Sequence, residues 1–353
     1  MTQQYHEHLL EAGQKPANSS DPWRWFRWFR WLLLLGLLAL ALRIFTENSI
    51  GASPSSKHQL YISFHGDGSA KTPLPEYGVN QIMRFNLEDL SIPGMPVLDL
   101  SGSPTPPRML RDMLVLKDGT LFVAQGLKFD SCILQYGPCD QHGMRQFQKE
   151  YRSPILVHPY ALTLLGETLF ASTQDSGTVV GFNLTESNHL SSGDRINFNL
   201  HGDFRYRPGI TYRGIANYQH CLYLAVTEMN VVAVICDFDR VSRRIPVRHP
   251  IGLMVDEARK ELYIASPAQR KSQTEDQEPG EVLVIDLSND QILRRLRHEG
   301  MVHPTNMVLH KDKVVVASQT QKAILEFHRS GEFSKVLIQD LPDAPENIML
   351  SPC

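Results

Sequence analysis

The chain has 353 residues, a formal net charge of −3 and 42% hydrophobic residues. That length allows one large domain or two, and the near-neutral charge gives no footprint for general nucleic-acid binding. It carries no G-x-S-x-G, P-loop, H-E-x-x-H or dinucleotide fingerprint, which argues against a serine-type hydrolase.

Residues 1–22 are polar and hold Pro16 and Pro22, so they read as a loose tail. Residues 23–45 follow as WRWFRWFRWLLLLGLLALALRIF, whose uninterrupted apolar run, Trp31 to Leu42, is 12 residues and short for a span. Arg24, Arg27 and Arg30 recur every three residues, so on a helix they form one stripe. From it they can snorkel to phosphates while Trp25, Phe26, Trp28 and Phe29 sit at the interface. Counted that way, Phe26 to Phe45 gives 20 residues, enough to cross. Lys15, Arg24, Arg27 and Arg30 precede the core and only Arg43 and Lys57 closely follow it. The expectation is a single-pass signal-anchor of type II topology, with tail 1–22 cytoplasmic, span 23–45 and everything beyond it extracellular, lumenal or periplasmic. A cleaved signal peptide ending near Ala39-Leu40-Ala41 is the alternative, and it exports the same residues. Residues 46–57, TENSIGASPSSK, are a short flexible stalk.

From residue 58 to 353 the chain repeats one plan. Residues 249–287 show it most clearly. Ile251 to Val255, Leu262 to Ala265 and Val282 to Asp286 are short runs rich in Val, Ile and Tyr between turn residues, and Ile292 to Arg297 alternates apolar with basic. The second strand recurs at 60–63, 121–124, 169–172, 222–225, 262–265 and 314–317, six copies spaced by about 51 residues. Third strands end at Phe85-Asn86, Phe182-Asn183, Phe238-Asp239 and Ile285-Asp286. The first copy lacks an inner strand, and the chain finishes on Pro345-Glu346-Asn347-Ile348-Met349-Leu350, an inner strand without a sequel. The pattern predicts an all-β, six-bladed β-propeller of four-stranded antiparallel blades, with the C-terminal strand closing the first blade. Stretches 65–80, 126–153, 186–212 and 267–280 read as enlarged loops suited to recognition.

Five cysteines fit an oxidising compartment. If Val226 pairs with Val231 around the loop Thr227 to Asn230, Cys221 faces Cys236, and a cross-strand disulfide is expected. Cys132 and Cys139 bracket Tyr136-Gly137-Pro138, read as a turn, and are expected to close a small loop, leaving Cys353 over. Asn183-Leu184-Thr185 is a glycosylation sequon on an exposed turn.

Inner strands of a propeller begin at one mouth of its channel, so residues there converge from distant positions. Three copies open with His-Pro, placing His158, His249 and His303 as candidate catalytic or metal-ligating groups, or simply as strand openers before a proline. Asp112, Asn306, Glu346 and Asn347 form an oxygen-rich set suited to Ca²⁺, or to capping strand ends. Arg205, Arg207, Arg213, Arg244, Arg248, Arg295 and Arg297 could make one face positive and attract an anionic partner, or be alternating charges on wet outer strands.

The stretch HPIGLMVDEARKELYIA resembles an NHL-type repeat, and the six-fold layout is similar to the NHL, SMP-30/gluconolactonase, paraoxonase and strictosidine-synthase-like propellers. Pro345-Glu346-Asn347-Ile348 resembles their Pro-Asp-Asn-Ile element, whose acid–Asn pair binds calcium in the paraoxonases. The resemblance therefore implies Glu346 and Asn347, with Asn306, as calcium ligands. Glu stands here for the Asp, Met307 follows Asn306 where Gly is usual, and the element comes last in the chain. An anchor ahead of such a propeller also resembles the adipocyte plasma membrane-associated type. The leading expectation is a membrane-anchored module binding a protein or small ligand on its loop face. The alternative is a calcium-dependent lactonase or esterase, with a channel-mouth His activating water.

Overall fold

The repeat pattern folds as six sheets, five of them of four antiparallel strands as expected, while the second blade gains a fifth, two-residue strand (Leu98–Asp99) paired in parallel along its outer edge. In this computed structural model the described residues are 59–66, 80–104, 106–185, 197–198, 210–236, 240–268, 279–351 and 353. The expected tail, span and stalk lie outside them. Among the described residues no helix is long and apolar enough to cross a membrane.

The first blade joins β1 (Gln59–Phe64), β2 (Met83–Asn86) and β3 (Met95–Pro96) to the last strand of the chain, β25 (Pro345–Ser351). The second contains β4 (Leu98–Asp99), β5 (Leu110–Val115), β6 (Leu121–Gln125), β7 (Cys132–Cys139) and β8 (Arg145–Tyr151). Blade three is β9 (Pro159–Leu165), β10 (Thr168–Thr173), β11 (Val179–Asn183) and β12 (Asn197–Phe198), and blade four is β13 (Tyr212–Tyr218), β14 (Cys221–Val226), β15 (Val231–Cys236) and β16 (Arg240–Pro246). Blade five is β17 (Leu253–Asp256), β18 (Glu261–Ser266), β19 (Glu281–Asp286) and β20 (Ile292–Arg297). Blade six is β21 (Pro304–His310), β22 (Lys313–Ser318), β23 (Ala323–His328) and β24 (Phe333–Ile338).

The closure expected from the two ends is present, with Leu60 opposite Leu350, Tyr61 opposite Met349 and Ile62 opposite Ile348. The core lies between blades rather than within them. Ala225 and Val232 of blade four, for example, pack in one cluster with Leu262, Ile264 and Leu283 of blade five. Both faces of each second strand are covered in this way, so these strands are apolar throughout and stand out in the sequence. Adjacent inner strands approach so closely that a Cβ on Gly252 would collide with the Thr305 carbonyl. Across the neighbouring seam, between blades four and five, Gly214 donates to the Ile251 carbonyl at 2.6 Å. This crowding starts the fifth inner strand at Leu253, two residues later than expected.

Two expectations about the second blade are corrected. The stretch 126–153 is not an enlarged loop. It holds β7 and β8, and the alternating QFQKEY of β8 is a wet outer strand. Nor do Cys132 and Cys139 pair. They begin and end one strand, so at about 3.3 Å per residue they stand roughly 23 Å apart. Tyr136-Gly137-Pro138 is a register shift against β8 rather than a turn. Cys139 bonds instead to Cys353, 214 residues away, and Cys132 is a buried free thiol pushed up to about 12 by burial. Cys221 and Cys236 face each other and are bonded, as the register argument requires.

Arg145 is fully buried beside the Cys139–Cys353 bond. It donates to the carbonyls of Gly119 and Gly137 and to Ser351 Oγ (3.1 Å), so the seam between blades one and two is tied by covalent and polar contacts. Cys353→Ser is expected to lower stability by about 2–5 kcal/mol. Amide exchange should rise first in β25 and β1, which hydrogen-exchange mass spectrometry would read. Thiol titration of the unreduced protein should find one reactive thiol, Cys132, and only after denaturation.

Candidate functional site at the channel entrance

The six inner strands β25, β5, β9, β13, β17 and β21 stand side by side around the channel. Where they begin, the channel is nearly closed. A void of about 20 Å³ is bounded there by Arg111, Tyr160, Thr305, Asn306, Glu346 and Asn347. Toward their far ends it widens to a cavity of about 400 Å³, with Met113, Met254, Met307 and Met349 in its walls.

What closes the entrance is a buried ion pair. Arg111 Nη1 lies 2.8 Å from Glu346 Oε2, with both side chains 4% exposed. Gln319 Nε2 donates to the same oxygen at 2.8 Å, and the Tyr160 hydroxyl also bonds to this carboxylate. His65 Nδ1 is 2.7 Å from Arg111 Nη1 and 3.0 Å from Glu346 Oε2, so it accepts from one or donates to the other according to its tautomer. Burial by itself would raise the Glu346 carboxyl. The Arg111 charge and the hydrogen bonds from His65 and Tyr160 outweigh it and bring the group down to about 2.

The network continues outward through His158. Burial and the Arg111 charge keep this imidazole below its ordinary range, so Nε2 accepts from Arg111 Nη2 (3.1 Å) and Nδ1–H donates to Asp175 Oδ2 (3.2 Å). His158 takes φ +54°, the left-handed turn that swings the chain into the inner strand. His249 turns in at φ +41° and is held by its backbone N–H on Asn230 Oδ1 (2.9 Å). His303 is lowered by burial and by the Arg213 charge.

One residue deeper is a second polar layer. Asp112 Oδ2 accepts from the Leu162 N–H at 2.5 Å, and Oδ1 accepts from the Met113 N–H at 2.8 Å and from the Asn347 amide. Burial pushes this carboxyl up to about 7. Asn306 Oδ1 accepts from its neighbour's Met307 N–H at 2.6 Å, while Asn347 Oδ1 is sealed without a partner.

Asp112, Asn306, Glu346 and Asn347 therefore converge on the channel, though they come from three different blades. Their oxygens are mostly engaged, however. A cation at Glu346 would have to displace the Arg111 guanidinium, and Asp112 is ringed by N–H donors. Among the described residues no group of three or more His, Cys, Asp and Glu is placed to hold a metal ion. Of the basic residues, Arg205 and Arg207 lie outside the described residues. Arg295 and Arg297 both grip Glu281 at 2.6 Å, which neutralises that part of the face. Arg213 falls inside β13 rather than before it. Sequence reading missed Arg111, His65, Tyr160, Asp175 and Gln319. Of these only Arg111, an arginine opening an otherwise apolar inner strand next to Asp112, left a signal.

No family model and no curated relative matches this chain. Solved structures do. A chain of a nidogen/laminin complex matches with TM-score 0.57 at 12% identity, over 83% of this chain and 97% of that one. A candidate 6-phosphogluconolactonase from Bacteroides uniformis matches with TM-score 0.57 at 10% identity, over 84% and 100%. Another from Bacteroides fragilis gives TM-score 0.53 at 12% identity, over 85% and 99%. The fold is a six-bladed β-propeller. At such identities the likeness extends to the fold alone.

Removing one partner of the entrance ion pair leaves the other charge buried. Arg111→Met and Glu346→Leu are each expected to cost about 3–5 kcal/mol, and the double variant should recover most of that loss in urea melts. Because the folded-state value of Glu346 is depressed, its contribution is complete above the ordinary carboxylate range and is lost as pH falls toward about 2. Acid melts of Glu346→Gln should lack that part of the slope.

Proposed function

We propose that this propeller is a recognition module, exported and held at a membrane by its N-terminal segment, that binds a protein or a small ligand at the channel-entrance face. The observation that carries this reading is the internal pairing of the entrance: Glu346 with Arg111, and Asp112 with backbone and amide N–H groups. A hydrolytic centre needs vacant donors around an open space, whereas here the space at the donors holds about one water. Such a plug makes a rigid floor, against which the loops between second and third strands can present side chains. The two disulfides are those of a protein folded in an oxidising compartment, and this supports export.

One observation favours the second reading, a calcium-dependent lactonase or esterase. Asn347 Oδ1 is buried and unpartnered beside Asp112, an oxygen acceptor with nothing to accept from.

Elemental analysis of the purified protein, with thermal melting before and after chelation, separates the two. The recognition module should carry no stoichiometric Ca²⁺ and melt unchanged in EDTA. One calcium per chain, a lower melting temperature after chelation and turnover of lactones or aryl esters abolished by Glu346→Gln would overturn it. Export itself is testable at Asn183, which is exposed and accepts from the Thr185 N–H (3.0 Å) and hydroxyl (2.7 Å) within its own sequon. Expressed in a eukaryotic secretory pathway, the protein should gain a glycosidase-sensitive mass that Asn183→Gln lacks.

A further inference from the structure

Most buried or half-buried arginines described in this propeller have an identifiable partner. Arg111 has Glu346, Arg152 has Asp130 and Glu150, Arg294 has Glu261, Arg329 has Asp256, and Arg145 has backbone carbonyls. Arg213 is different. It is half-buried as the second residue of β13, at the end where the inner strands begin. Its Nε is sealed from solvent without a hydrogen-bond partner, as are those of Arg111, Arg145, Arg294 and Arg329, but unlike them it has no carboxylate or carbonyl among the described residues in reach of its other nitrogens. Its guanidinium lies over the face of Tyr160, with the guanidinium carbon 5.4 Å from the ring centroid. The Tyr160 hydroxyl is already committed to Glu346.

A guanidinium partly withdrawn from water and left without an anion carries a desolvation cost, and stacking on tyrosine recovers only part of it. The stack also leaves the guanidinium edge free, the edge that carries parallel N–H donors for a planar anion. Burial and, after it, the Arg213 charge hold the nearby His303 imidazole below its ordinary range. Its ring has no hydrogen-bond partner among the described residues, so one N–H is available to the same anion. Glu346 acts on both Tyr160 and His303, so a dianion would meet a negative neighbour, whereas a planar monoanion would not.

We propose that Arg213, stacked on Tyr160 and flanked by His303, binds a carboxylate at the channel entrance, either of a small free acid or of an acidic peptide. The proposal rests on the recognition reading and names the chemistry it recognises.

The test titrates the full-length protein with acetate and hexanoate, with inorganic phosphate, and with a C-terminally amidated peptide bearing one glutamate, following binding by calorimetry. Carboxylates should bind saturably and phosphate more weakly. Arg213→Gln should weaken carboxylate binding at least about tenfold, and Arg213→Lys should fall between, because the bidentate edge is lost. Tighter binding of the peptide than of hexanoate would identify a protein segment as the source, and the reverse a small acid. Without ligand, Arg213→Gln should melt at or above the wild-type temperature, because an uncompensated charge has been removed. A lower melting temperature would mean that the chain itself supplies the anion, and would overturn the proposal. So would carboxylate affinity unchanged in Arg213→Gln, no saturable carboxylate binding, or phosphate binding as tightly as carboxylate. Failure of the recognition reading is read separately, from calcium content and chelation, neither of which depends on Arg213.

Discussion

Closure of the ring by β25 is the constraint on which the rest of the propeller depends. Pairing of the last strand with β1 removes two open sheet edges at once, and it carries Glu346 and Asn347 to the channel. There they meet Arg111 and Asp112, more than two hundred residues earlier in the chain. The Cys139–Cys353 bond then fixes the end of β25 to the second blade, so the closing strand is also covalently tied to its neighbour. An entrance made of groups from both ends of the chain exists only while the ring is shut.

Electrostatics at the entrance separates two acids that composition cannot tell apart. Glu346 and Asp112 are both buried, yet one is held down to about 2 and the other pushed up to about 7. Glu346 faces a guanidinium, whereas Asp112 faces only neutral N–H groups, which offset less of the burial cost. The same accounting sets Arg213 apart from Arg111, Arg294 and Arg329, because its neighbour is a ring rather than a carboxylate, and from Arg145, which donates to carbonyls.

Much of the architecture was legible because propeller blades make the strand period visible. Second strands such as Leu262-Tyr263-Ile264-Ala265 are covered on both faces and so are continuously apolar, and six of them recurring about every 51 residues on average define the ring. The Cys221–Cys236 bond was legible for a related reason: a tight hairpin fixes its own register, and register fixes which residues face. Where the signal failed, it failed for geometric reasons. Gln146 to Tyr151 looked like loop because an outer strand with one wet face is polar at alternate positions. Cys132 and Cys139 looked like partners because seven residues are close in sequence, although an extended strand separates them by its full length.

The sequence by itself determined the repeat, its number, the place where the ends join and the gathering of Asp112, Asn306, Glu346 and Asn347 at the channel. Each of those follows from local periodicity and from the one fold that satisfies it. Only the tertiary structure decided what these residues do once gathered. Whether Glu346 meets a cation or Arg111, which cysteine Cys139 finds, and whether Arg213 has an anion all depend on side chains brought together across blades. Contacts between blades leave no periodic trace in the chain, because each is made once, between positions whose spacing is set by the whole ring.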